Sequence, residues 1–371
     1  MVHLKRVANV TTGAMPTRSD DGRIPVIGAN GQIGFTDASN ITVPAIVVGR
    51  VGSAGAVNIV QPPAWVTDNA LLVTPDARVF NFRYAGHVFS TLDLAKDAAQ
   101  TAQPLITQTM VRERSVPLPN LGQQQAIADY LDTETARIDD FSAAYSELAK
   151  AVRDRVDSAI AGVFSGPPVR LKRFATKIGS GSTPRGGAET YVDDGVAFLR
   201  SMNVQKGYLD TKDLVRIDAT TDREMAGTRL HHGDVLLNIT GASIGRSAVA
   251  TADMIPGNVN QHVCIVRPQL GVPSHLLSAA LLTPDVQEQI ASVQVGGNRD
   301  GLTFDQVGNL LIRWPPNEHI ELLDREVQRR REDANHLISR MNCQIDLLAE
   351  RRQALITTAV TGQLDVPGAA A

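Results

Sequence analysis

The strongest constraint on this 371-residue chain is that it repeats itself. Val2-His3-Leu4-Lys5-Arg6 returns as Val169-Arg170-Leu171-Lys172-Arg173, an offset of 167. Ser53-Ala54-Gly55 returns as Ser243-Ile244-Gly245 at 190, and Leu71 to Pro75 returns as Cys264 to Pro268 at 193. Leu105 to Asn120 aligns with Leu302 to Asn317 at 197, and Ile160 and Gly166 align with Ile356 and Gly362 at 196. The order never changes and the drift is nearly steady. A chain of this kind folds as two versions of one unit. The second copy carries roughly 30 extra residues, all in its first part.

Each copy divides in two. Its first part is rich in Gly, Pro, Thr and Asn and in short apolar runs, the pattern of strands joined by turns. Candidate strands are Ile41–Val48, Ala70–Val73, Val196–Leu199, Val235–Ile239 and Val263–Val266. Gly28-Ala29-Asn30-Gly31, Gly179-Ser180-Gly181 and Gly296-Gly297-Asn298 are turn signals.

The second part reads as one long helix. No proline occurs between Asn120 and Gly166, and neither glycine nor proline between Glu318 and Thr361. Apolar residues recur at steps of three and four, which predicts a pairing seam. It runs through Ile127, Leu131, Ile138, Phe141, Tyr145, Leu148 and Val152 in the first copy. In the second it runs through Leu323, Val327, Ala334, Leu337, Met341, Leu348 and Leu355. A helix this long with one apolar stripe needs a partner. A two-fold repeat pairs the two antiparallel. The expected fold is α+β: two β-rich domains separated by two long helices in an antiparallel coiled coil, with a pseudo-two-fold internal repeat.

Composition narrows the functions. Cys264 and Cys343 alone do not make a disulfide scaffold and fit a reducing compartment. No apolar run is long enough for a membrane span, and Met1 to Arg6 lacks a signal peptide's apolar stretch, so a cytoplasmic protein is expected. The net charge is −3, and the excess acid lies in the helical segments; the two β-rich parts are weakly positive. Gly179 to Pro184 lacks the lysine of a phosphate loop. His231-His232-Gly233-Asp234 reads as a turn, because adjacent histidines point apart in a strand and no cysteine is near. No catalytic or metal-ligating constellation is expected.

What remains are Arg, Asn and Gln in turn-rich segments, the side chains that read guanine and adenine edges in a DNA major groove. In the first copy they are Arg18, Arg23, Asn30, Gln32 and Arg50. In the second they are Arg185, Arg200, Asn203, Asn238, Thr240, Arg246, Asn260, Gln261, His262, Asn298 and Arg299.

The layout resembles the specificity subunit of type I restriction–modification systems over essentially the whole chain. The resembling residues include Leu4-Lys5-Arg6 and Leu171-Lys172-Arg173, followed by Gly179 to Pro184. Asp234 to Leu237, Gly241 to Arg246 and Asn260-Gln261-His262 match further; Val66-Thr67-Asp68-Asn69 stands in the place of the last. Pro117-Leu118-Pro119 with Gln123-Gln124-Gln125 resembles the start of the family's first helix. Arg351 to Leu364 resembles its C-terminal end, and is the most specific match. The resemblance implies recognition domains at 1–117 and 167–316, spacer helices at 118–166 and 317–364, and a tail at 365–371. It implies that the chain is not itself an enzyme. Its partners would be double-stranded DNA, two methyltransferase subunits bringing S-adenosylmethionine, and motor-nuclease subunits joining through them. A rival reading is a coiled-coil adaptor that carries two protein-binding domains and no DNA.

Overall fold

The computed structural model describes residues 1–16, 21–98, 105–294 and 301–369. The candidates Arg18, Asn298 and Arg299 lie outside the described residues. The chain forms two compact units, Met1–Ser146 with Asn342–Ala371, and Glu147–Met341.

The first unit holds β1 Val2–His3, β2 Ala8–Thr12, β3 Ile24–Gly28, β4 Gly31–Thr36, β5 Ala45–Gly49, β6 Val57–Val60, β7 Trp65–Val66, β8 Ala70–Pro75 and β9 Ser115–Val116. Helices α1 Phe82–Thr91, α2 Leu94–Ala98 and α3 Gln108–Arg112 follow the sheets, and α4 spans Leu121–Ala161. The main sheet has the order β2-β8-β5-β6, the smaller one β4-β3-β7, and β1 pairs with β9. Strand β5 is buried along its whole length and starts only at Ala45, not at Ile41 as its apolar run suggests. Pro44 precedes it and has no N–H for the ladder.

The second unit repeats this frame. Its strands are β10 Pro168–Arg170, β11 Ala175–Ser180, β12 Tyr191–Val192, β13 Val196–Leu199, β14 Val215–Ile217, β15 Val235–Asn238, β16 Ser247–Val249, β17 Gly257–Val259, β18 Val263–Pro268 and β19 Leu311–Arg313. Its helices are α5 Ala219–Glu224, α6 Ser274–Leu281, α7 Pro284–Gln294, α8 Phe304–Asn309 and α9 Ile320–Val360. The main sheet runs β11-β18-β15-β16, the same order as in the first unit. Even the register matches: Ile46 opposes Val73 and Val48 opposes Leu71, as Val235 opposes Val266 and Leu237 opposes Cys264. Leu4 and Leu171, from the repeated Leu-Lys-Arg, are both fully buried in the respective cores. In the small sheets β3 lies parallel to β7 as β13 lies parallel to β17.

Each long helix has 41 residues, ~60 Å at 1.5 Å per residue. The glutamine cluster explains how α4 starts. Gln123 N–H donates to Asn120 Oδ1 and Asn120 N–H donates to Gln123 Oε1, a reciprocal cap. Gln124 is fully buried; its amide donates to the Val79 and Pro119 carbonyls and accepts from Asn81 N–H. Gly362 follows α9 with φ +74°, the left-handed stop expected there.

The helices pair antiparallel in each unit. In the first, Ile127 and Leu131 share a core with Ile356 and Val360, whereas Asp139, further along α4, meets Arg352, earlier on α9, at 3.0 Å. In the second, Ile160 shares a core with Val327, and the earlier Asp157 lies 3.8 Å from the later Arg331.

The seam corrects the sequence reading in three places. Phe141, Leu148 and Leu337 are 62, 49 and 42% exposed. Ser142, Ala149 and Ile338 take the inward places one residue later. Steps of three and four permit either choice after Ile138, Tyr145 and Ala334. Small side chains such as Ser142 and Ala149 let helices approach closely, and bulky ones do not. Ile127, Leu131, Ile138, Val327 and Met341 are buried, while Tyr145, Val152, Leu323, Leu348 and Leu355 are half-buried. Among the described residues no helix is long and apolar enough to cross a membrane.

Candidate nucleic-acid interface

In the second unit the polar candidates converge where the main sheet meets two loops. His262, just before β18, is central. Its Nδ1 lies 2.6 Å from Thr240 Oγ1 and its Nε2 3.0 Å from the Gln261 amide nitrogen. Thr183 continues the chain by donating its hydroxyl to Gln261 Oε1. Beside them Arg246 Nη1 donates to Gln205 Oε1 at 2.7 Å. Thr240, His262, Gln205, Met202 and Arg246 line one open depression of about 530 Å³.

Other candidates build the scaffold beneath. Asn238 is fully buried and donates its amide to the Ser201 and Val204 carbonyls, at 2.8 and 3.3 Å. Asn203 is also buried; it accepts from Arg200 N–H and donates to the Asp210 carbonyl. Asn260 accepts from His262 N–H in a local turn. Arg200 donates to the Asp213 carbonyl and lies over the Tyr191 ring. Arg185 is exposed in the loop after Thr183. Gln205 and Met202 were not singled out by the sequence, and Thr183 entered only as part of the Gly179 to Pro184 run. Their approach to Arg246 and His262 is set by tertiary hydrogen bonds, which local composition does not encode.

The first unit presents a different tip on the same frame. Strands β3 and β4 form a hairpin turning at Ala29-Asn30, with Asn30 and Gln32 exposed. Ile33 and Phe35 on β4 are 67 and 56% exposed, so an apolar face lies beside these amides. Arg50 follows β5, half-buried; its N–H donates to the Asn69 carbonyl and its own carbonyl accepts from Ile106. Arg23 is exposed just before β3. Asn69 holds the place of His262, since Ile239 N–H and Leu302 N–H repeat those two bonds at His262 and Ile239.

The motifs with alternative chemistry have structural roles. Gly181 lies against the Val259 carbonyl, which an added Cβ would approach to 1.7 Å, and Ser182 N–H bonds that same carbonyl. His231 N–H donates to Asp234 Oδ2 across a turn with Gly233 at φ +86°. Asp234 is also gripped by both ends of the Arg267 fork at 2.8 Å. Burial pushes the Cys264 thiol up to about 12, so it is held as an unreactive thiol. No group of three or more His, Cys, Asp or Glu among the described residues could hold a metal ion.

The chain matches known proteins on this frame. Residues 1–143 match the model of the type I restriction modification DNA specificity domain. The type I restriction enzyme EcoBI specificity subunit of Escherichia coli is 21% identical over 350 residues, covering 86% of this chain and 73% of that one. A chain solved in a study of complex assembly and conformational transition of the type I R-M system superposes with a TM-score of 0.65. Its identity is 17%, and the match covers 98% of this chain and 97% of that one. The S subunit of the M. genitalium type I system is 14% identical, covering 97% and 95%, with a TM-score of 0.44. Residues 1–143 therefore match the type I restriction modification DNA specificity domain, and the chain as a whole, with its duplicated frame and paired helices, shares the fold of a chain of the type I R-M system.

Proposed function

We propose that the two copies are two reading heads, at 1–117 and 167–316, each recognising one half of a split, asymmetric DNA site. One observation carries this reading: the same main sheet in the same register supports different side chains at its tips. Identical heads in a two-fold arrangement would read a palindrome; unlike heads read unlike halves. The near-neutral charge of the heads fits a division of labour. Base contacts specify the site, while phosphate contacts, which dominate affinity, come largely from partner subunits.

The helices at 118–166 and 317–364 serve as the spacer that fixes the gap between half-sites, and 365–371 is a tail. They also dock two methyltransferase subunits. Phe141 and Leu337 support that stoichiometry: they are 196 residues apart, the offset of the repeat, and both expose large apolar side chains. The methyltransferase subunits supply S-adenosylmethionine and the chemistry, motor-nuclease subunits join through them, and the assembly acts on genomic DNA in the cytoplasm.

The test is co-expression with the partner methyltransferase, followed by sequencing of methylated bases. The expected product is a bipartite motif with unlike halves and a fixed gap, made by a complex of two methyltransferase subunits per chain. A palindromic motif would overturn the two-head reading. A stable chain with no effect on DNA methylation would favour the protein adaptor. Phe141→Ser with Leu337→Ser is expected to abolish assembly while leaving the melting temperature of the isolated chain unchanged.

A further inference from the structure

We propose that Arg246 reads a guanine in the second half-site, with Gln205 as its positioning residue and Met202 as an apolar contact beside it. The inference rests on the DNA-reading role proposed above and names the base class and the residues that select it.

Gln205 is fixed at both ends. Its amide nitrogen donates to the Met202 carbonyl at 2.8 Å and its Oε1 accepts from Arg246 Nη1. The guanidinium is thereby oriented through one nitrogen, leaving donors on Nε and Nη2. A guanine edge offers O6 and N7 as two adjacent acceptors in the major groove, which a planar fork matches. The partner is a neutral amide, so the charge is not cancelled. Arg229, Arg267 and Arg313 of the same unit are instead bound to Asp222, Asp234 and Asp285.

The pose is built into the fold. The Arg246 carbonyl accepts from Asn238 N–H at 2.9 Å, and its N–H donates to the Ser243 carbonyl at 3.2 Å. The loop carrying Gln205 is held from three sides. Asn238 grips the Ser201 and Val204 carbonyls, Asn203 closes the loop on Arg200 and Asp210, and Gly207 N–H donates to the Ser247 carbonyl at 2.8 Å. Gly207 has φ +85° and abuts Arg331, so that an added Cβ would come to 1.8 Å from Nη1. Such restraint lowers the ordering cost of making a contact. Met202 shares the depression and is 47% exposed, so an apolar side chain lies beside Arg246 where a bound base edge would meet it. In the major groove the apolar group on a base edge is the thymine methyl.

Among the described residues the first head has no counterpart of this pair. The sheet register places Ala56 where Arg246 stands: Gly49 N–H bonds the Ala56 carbonyl as Asn238 N–H bonds that of Arg246. The Gln205 loop itself follows β13, where the second copy is longer than the first.

The experiment uses the assembled methyltransferase complex and duplexes of its mapped site. Each guanine of the second half is replaced in turn by 7-deazaguanine, which pairs normally but lacks N7. The wild-type complex should lose affinity at one such position, by up to the roughly 5- to 150-fold that a whole bidentate contact gives. Arg246→Ala should bind native and substituted duplexes equally while retaining first-half specificity, which reports that the chain is folded. Gln205→Leu should narrow the ratio between the two duplexes. Arg246→Ala that weakens all sequences alike and lowers the salt slope by about one would overturn the inference in favour of a phosphate contact. Retained sensitivity to 7-deazaguanine in Arg246→Ala would also overturn it, and would leave the two-head reading standing. A wild-type complex with no sequence preference in the second half would overturn both.

Discussion

Gly49 and Asn238 occupy the same place in the two copies and solve the same problem differently. Each ends the central strand of its main sheet, and each donates its N–H to the carbonyl that closes the following turn, Ala56 or Arg246. In the first unit a two-residue hairpin tip lies directly on the backbone. A Cβ on Gly49 would sit 2.3 Å from the Ser53 carbonyl oxygen and 2.5 Å from that of Ala29. In the second unit a longer loop stands further away, and the Asn238 amide reaches across to hold it. A short tip demands the absence of a side chain, and a long one demands a donor. The frame is therefore the constant part and the tip the variable part, which is what separate reading of two unlike half-sites requires.

The largest expected break in this comparison concerns a device of the second copy alone. Asp234, 1% exposed, is paired bidentately to Arg267, where the first copy has Ala45 and Thr74. Arg267→Met would strand a buried carboxylate, at a cost of ~3–5 kcal/mol. Urea unfolding should show the loss in the second unit, and hydrogen exchange should leave the β2-β8-β5-β6 sheet unchanged.

Next come the two tips. Gly49→Ala forces the Ala29 tip away, a strain of ~1–3 kcal/mol, and should blur recognition of the first half-site only. Asn238→Ala leaves two loop carbonyls without their amide donor, ~1–3 kcal/mol, and should blur the second half-site only. Binding of the methyltransferase complex to duplexes mutated in one half at a time checks both. Equal damage to both halves by either variant contradicts independent tips.

A smaller effect is the pH dependence contributed by one ion pair of the second unit. Arg229 beside Asp222, with Asn258 adding a further hydrogen bond, holds that carboxyl below its ordinary value. A carboxylate with a depressed folded pKa contributes stability that is present above its unfolded pKa of ~3.9 and is lost as pH falls through the folded value. Asp222→Asn should flatten the second unit's stability profile below about pH 4. An unchanged profile would show that the pair contributes nothing.

Much of the architecture was legible because it is periodic or repeated. The offsets foreshadowed two copies of one sheet order, and the proline-free stretches foreshadowed α4 and α9. Phe141, Leu148 and Leu337 were misplaced because a heptad leaves a choice between neighbouring residues; the smaller neighbour faces inward at Ser142 and Ala149, whereas Leu337 and Ile338 are equal in size and only the packing of the fold separates them. The small sheets were not legible, since β13 meets β17 across more than 50 residues. At the site, residue type pointed to Thr240, Arg246, Gln261 and His262. Gln205 escaped notice because its position depends on Asn238, Asn203 and Gly207, which lie far apart in sequence or hold it through backbone groups. For the same reason Asn203 and Asn238 look like base readers in the sequence, and they are buried clamps in the fold.

The central claim, two independent heads on one repeated frame, is tested most directly by exchanging residues 1–115 for another recognition domain and sequencing the methylated bases. The account predicts a new first half, an unchanged second half and an unchanged gap. A change in both halves would contradict it.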